Sequence, residues 1–99
     1  MKFMVHYSIS RNKFLTLLKK WISMSPQEQA NAGQGVKIIG RWHDVAARGG
    51  VAILESTDLS AMQRYIGQWN PYLDCDIAPV LDDAELTAVG HQIVADNNA

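Results

Sequence analysis

Four ionisable side chains, His6, Arg41, His43 and Glu55, are the residues of this chain best suited to chemistry. Two imidazoles can divide the roles of acid and base near neutral pH. Arg41 suits a carboxylate or an enolate-like oxygen, held by a bidentate or charge-assisted contact. Glu55 suits orienting a histidine or acting as a base. These four are the candidate catalytic residues. The structural reading of the same residues is a polar network that sets the register of a dimer, or a plain Arg41–Glu55 ion pair. Trp42 and Trp69 are candidate ligand-binding residues that could wall a pocket for an apolar or aromatic molecule; their structural reading is core packing. Asp76 shares one face of a strand with Asp74, and Asp82-Asp83 open a helix. Paired carboxylates can hold a cation or supply acid and base, or they protect a sheet edge and a helix N-terminus.

Other chemistries lack their residues. Cys75 is the single cysteine, so no internal disulfide and no cysteine-based zinc cluster can form. No basic residue near it in sequence favours a thiolate. His6, His43 and His91 lack an HxxxH spacing, so no metal is expected. Gly33-Gln34-Gly35 is too short for a phosphate loop and precedes a strand. No CxxC stands in the first loop, and Val51–Ser56 carries none of the aromatics an RNA-recognition sheet displays. No motif names a cofactor.

The elements that must position these residues follow from periodicity. Phe3, Val5 and Tyr7 alternate with Met4, His6 and Ser8, predicting a strand over Lys2–Ser8. Phe14, Leu17, Leu18, Trp21 and Ile22 follow helical spacing, predicting a helix over about 11–24. Ser25-Pro26-Gln27-Glu28 is a capping box with proline at the first helical position, opening the longest loop. Val36–His43 and Val51–Ser56 predict a hairpin around a turn that ends in two glycines. Thr57 or Asp58 caps a helix whose stripe is Leu59, Met62, Tyr65, Ile66 and Trp69. Asn70-Pro71 stops it. Leu73–Leu81 predicts a strand whose Pro79 confines it to a sheet edge. Asp82–Asp96 predicts a C-terminal helix. The order β-α-β-β-α-β gives an α+β fold, a ferredoxin-like sandwich with antiparallel sheet order 4-1-3-2 and an extra C-terminal helix. The edge position of the Pro79 strand agrees with that order.

Composition sets the class. The chain has 99 residues, 47% apolar and 19% charged, which suits a single globular domain over residues 1–99. No window approaches the ~20 apolar residues of a membrane span, and the N-terminus turns polar too early for a secretory signal. The expected setting is cytoplasmic. A net charge of −1 argues against nucleic acid as a partner. Residues 1–50 hold eight Lys/Arg against two acids, and residues 51–99 hold Arg64 against eight acids. The two halves offset each other within the fold, dock subunits, or steer an anion to the basic half.

Both long helices cover one sheet face, leaving the other for water, a ligand or a partner. The third strand offers two core sets, Ala52/Leu54 and Val51/Ile53/Glu55. If His43 pairs with Val51, Arg41 with Ile53 and Ile39 with Glu55, the uncovered face carries Met4, His6, Ile39, Arg41, His43, Val51, Ile53 and Glu55, with Trp42 beneath the helices. A slip of one residue breaks this grouping. Such a half-apolar, half-ionisable face suits two sheets paired around a partly polar cavity.

The runs Gly40-Arg41-Trp42-His43-Asp44, Ile53-Leu54-Glu55, Gln68-Trp69-Asn70 and Pro79-Val80-Leu81-Asp82-Asp83 resemble a family of short bacterial proteins classed as a domain of unknown function within the dimeric α/β-barrel superfamily. The resemblance runs from Met1 to about Val94. It implies a homodimer whose two sheets face each other and close into a barrel. The superfamily spans cofactor-independent monooxygenases, haem-degrading enzymes, muconolactone isomerases and stress-response proteins, so the resemblance implies assembly and no particular reaction. The leading expectation is a homodimer that binds a small apolar or anionic molecule in the barrel cavity. The alternatives are a cofactor-independent monooxygenase- or isomerase-like enzyme and a purely structural dimerisation module. The expected partners are a second copy and a small molecule, with neither nucleic acid nor membrane.

Overall fold

The computed structural model describes residues 1–98. Its elements are β1 (Lys2–Ser8), a 3-10 turn (Arg11–Lys13), α1 (Phe14–Ser23), α2 (Pro26–Ala30), β2 (Val36–Asp44), β3 (Gly49–Ser56), α3 (Leu59–Trp69), β4 (Asp74–Val80) and α4 (Asp83–Asn98). The sheet is antiparallel in the order β2-β3-β1-β4, the expected 4-1-3-2 counted from the other edge. Pro79 lies in the edge strand β4, where its missing N–H faces no further strand. No described helix is long and apolar enough to cross a membrane.

Alternation along the strands builds one covered face. Phe3 pairs with Leu54 and Val5 with Ala52, and these four join Met62 and Ile66 of α3 in the buried core. Leu54 and Met62 are each only 1% exposed. From α1, Leu17 is buried, whereas Ile22 is 77% exposed. Ile22 stands about 140° around the helix from Leu17, so both cannot face the sheet. Asp58 caps α3 by accepting from the Ala61 N–H, and Ser25 and Glu28 complete the expected capping box on α2.

The register of β2 differs from the alternation expected of it. Ile38 pairs with Leu54, and the next partner of β3, Ile53, meets Gly40. Ile39 is the extra residue of a β-bulge. Beyond it Arg41 pairs with Ala52, Trp42 with Val51 and His43 with Gly50. The bulge exchanges the faces of everything that follows. Arg41 and His43 therefore lie on the helix side. Trp42, expected beneath the helices, is 61% exposed on the open face. A Cβ on Gly40 would meet the tip of the Trp42 indole, which would have to shift.

The last helix stands apart. It starts from a capping box in which Asp82 and Glu85 each accept from the other's backbone N–H. Lys2 pins this start through Asp82, at 3.2 Å, and Glu85, at 3.8 Å. Beyond it, every described residue of α4 except Val89 and Gly90 is exposed. The molecule measures 57 × 29 × 20 Å.

Candidate functional site

The bulge divides the four candidate catalytic residues between the two sheet faces. Arg41 and His43 stand on the helix side. His6 and Glu55 stand on the open side, with Glu55 opposite Lys2 in the ladder and 3.5 Å from its Nζ. The expected single cluster of His6, Arg41, His43 and Glu55 is thus not formed within the protomer, and the Arg41–Glu55 pair is replaced by Lys2–Glu55. Asp76 faces His6 across the β1–β4 ladder on the open side. Trp42 and Trp69 do not share a pocket: Trp69 lines the cavity under the helices and Trp42 does not.

That cavity is about 260 Å³ and lies between the sheet and the helices α1 and α3. Its walls are overwhelmingly apolar: Phe14, Leu17, Leu18, Trp21, Ile66 and Trp69 lie on the helix layer. Val5, Ala52, Leu54 and Cys75 form much of its floor. Gly49 of β3 also borders it.

Its polar groups come mainly from β1 and β2, which meet across β3. Tyr7 of β1 and His43 of β2 both pair with Gly50 of β3. They are separated by two inter-strand spacings, roughly 10 Å at the backbone. With no side chain on Gly50, they meet across it, and the Tyr7 hydroxyl hydrogen-bonds His43 Nδ1. A Cβ on residue 50 would strike the Tyr7 ring. Tyr7 is the residue that periodicity missed, because a tyrosine at an inward strand position reads as core. The glycines inside the strands were the signal available: Gly40 for the bulge and Gly50 for the gap.

Arg41 is fixed by three contacts. It donates to the Gln29 carbonyl at 2.8 Å and to the Tyr65 hydroxyl at 3.4 Å, and its guanidinium lies 4.6 Å from the centre of the Trp21 ring. Arg48 also lines the cavity and donates from Nε to the Ile9 carbonyl at 3.2 Å. Among the described residues the ion pairs within 4.0 Å are all made by Lys2, so neither arginine meets a carboxylate at that distance. Asp44 is the cavity's one acid, and its Oδ1 accepts from the Ala47 N–H.

Burial sets the protonation states. It raises the Tyr7 pKa, an effect partly opposed by Arg41. It lowers the His43 pKa, and Arg41 lowers it further. The pair is a neutral phenol against a neutral imidazole at neutral pH. Cys75 is pushed up to about 11 by burial and then by Asp74 and Asp76, so it stays a thiol. Trp21 lies 5.8 Å from the His43 ring and 6.2 Å from Trp69, completing an aromatic wall. No three of His, Cys, Asp and Glu gather as metal ligands among the described residues.

A family model described as a domain of unknown function (DUF3303) matches residues 1–94. No curated protein matches the chain.

Proposed function

Because the chain belongs to that family, whose description names no activity, we propose its function from the site: it binds one small, largely aromatic molecule with an acidic end in the cavity under the helices. The observation that carries this reading is an apolar, aromatic-walled space lined by two arginines that meet no carboxylate within 4.0 Å. An engineered 150 Å³ cavity accepts benzene, so about 260 Å³ suits a molecule near bicyclic size. The apolar part meets Trp21, Leu18 and Ile66, and the acidic end meets Arg41 beside Tyr7. The binding space moves, in this reading, from the barrel between two sheets to the space within one protomer.

The test uses 2-naphthoate as the probe. Its about 13 heavy atoms at about 0.3 kcal/mol each correspond to a Kd near 1 mM or tighter. Binding is read from quenching of Trp21 and Trp69 in a Trp42→Phe background. Arg41→Leu should weaken binding at least tenfold, and Leu18→Trp, which fills the cavity, should abolish it. Equal affinity in wild type and Leu18→Trp would sink the proposal.

The open sheet face favours a second copy as partner. Met4, Val51 and Ile53 share it with the exposed Trp42, and Lys2, His6, Glu55 and Asp76 interleave them. A standard interface needs about 800 Å² from each protomer, a small part of the 6994 Å² this one exposes. Sedimentation equilibrium tests it: Trp42→Glu should raise the dimer dissociation constant by at least tenfold. A wild-type chain that sediments as a monomer at 100-fold dilution and at stock concentration alike would end this reading.

A further inference from the structure

Ligand binding alone does not use the hydrogen-bonded Tyr7–His43 pair. We propose that this pair is a proton-transfer site: it takes a proton from the acidic carbon of an aromatic keto acid held in the cavity and returns it, interconverting keto and enol forms. The proposal rests on the binding reading above and adds chemistry to it.

Three features of the geometry carry it. Tyr7 and His43 are hydrogen-bonded to each other while both line the cavity. Gly50 between them leaves room for the Tyr7 ring, which a side chain there would displace from His43. The cavity walls beside them are apolar, while the pair itself stands at the solvent-facing side, where substrate can enter. The transfer starts from the phenol donating to Nδ1 of the neutral imidazole tautomer that carries its proton on Nε2.

The step balances without oxidant, reductant or cofactor. The C–H bond beside the keto group breaks, and its electron pair becomes the C=C bond of an enolate. The negative charge falls on the former carbonyl oxygen, where Arg41 faces it. The substrate proton goes to Tyr7 Oη as the proton of Tyr7 passes to His43 Nδ1. Reversal delivers the proton to the enolate oxygen, giving the enol, or to carbon, giving back the ketone. Tyr7 meets the substrate, whereas His43 acts through Tyr7.

Phenylpyruvate is the probe, since it joins a phenyl ring, a keto group and a carboxylate. Exchange of its methylene protons in D2O is followed by proton NMR, and binding is followed in parallel by tryptophan quenching. The wild-type protein should accelerate exchange at least 100-fold over buffer, the low end of general acid–base catalysis. Tyr7→Phe and His43→Gln should each lose nearly all of that acceleration and still bind. His91→Gln, exposed on α4 away from the cavity, should exchange as wild type does. The acid limb of the wild-type rate–pH profile should report His43, whose charged neighbours at the cavity are Arg41, Arg48 and Asp44. If Tyr7→Phe does not fold, restoration of exchange to His43→Ala by added imidazole serves in its place. Binding with exchange at the buffer rate overturns the proton-transfer proposal alone. Failure of phenylpyruvate to bind at all overturns the cavity reading with it.

Discussion

The two faces of the one sheet are built from the same strands and solve different problems. On β3, Leu54 and Ile53 are adjacent and both apolar. Leu54 is 1% exposed beneath α3, whereas Ile53 faces outward and is only half-buried. The covered face is complete at one end, where Phe3, Leu54, Met62 and Ile66 interlock. At the other end it opens into the cavity. The open face has no layer upon it and mixes Met4, Val51, Ile53 and Trp42 with charge. The lesson is that apolar character alone does not identify a core. What distinguishes the faces is whether an element of the same chain arrives to cover them.

The sharpest way to break that comparison is to truncate the two neighbours. Leu54→Ala should cost about 2–5 kcal/mol, the range for emptying a packed aliphatic site. Chemical denaturation reads this, with a loss independent of protein concentration. Ile53→Ala should cost about 1 kcal/mol or less in dilute protein. If a second copy covers the open face, its cost should grow with concentration, because association adds stability by mass action. Equal, concentration-independent losses at both positions would erase the distinction between the faces.

A smaller effect belongs to the glycines. Gly50→Ala should cost about 1–3 kcal/mol, because its Cβ meets the Tyr7 ring and the Trp42 carbonyl. It should also part Tyr7 from His43, moving the imidazole resonances in an NMR spectrum. Gly40→Ala strikes Trp42 on the other face, so it should disturb tryptophan emission and association while leaving those resonances in place. A Gly40→Ala variant that shifts His43 as strongly as Gly50→Ala does would show that the faces are not independent.

Most of the fold was legible because burial and period agree. Phe3, Val5 and Tyr7 alternate without interruption, Pro79 marks an edge, and the caps at Ser25 and Asp58 stand where their side chains predict. The site was less legible, and one residue explains why. Ile39 adds a bulge, and strict alternation past it assigns every later side chain of β2 to the wrong face. Their chemistry marks Arg41 and His43 as candidates, but alternation pairs them with the wrong neighbours. Once inward, Arg41 finds the Gln29 carbonyl, the Tyr65 hydroxyl and the Trp21 ring, which periodicity cannot foresee. The Tyr7–His43 contact spans 36 positions in sequence and depends on an absent side chain between them.

The mildest expected effect is on pH dependence, and it separates the two faces by titration. Burial holds His43 below its ordinary 6.5, with Arg41 acting in the same direction. The unfolded chain therefore takes up a proton at this site before the folded protein does. Stability contributed by keeping His43 neutral is complete above about pH 6.5 and is lost as the pH falls towards the folded-state value. Tyr7 gives the opposite limb: its raised pKa means stability that is complete below about pH 10 and lost as the pH rises through the folded-state value. Thermal unfolding from pH 5 to 8 should show Tm declining on the acid side. His43→Gln should flatten that decline, since glutamine keeps a hydrogen-bonding side chain without a proton to gain. His6→Gln should leave the slope as it is if the acid limb arises in the cavity. A slope that survives His43→Gln and disappears in His6→Gln would place the sensitive imidazole on the open face, and the neutral Tyr7–His43 pair would lose its support.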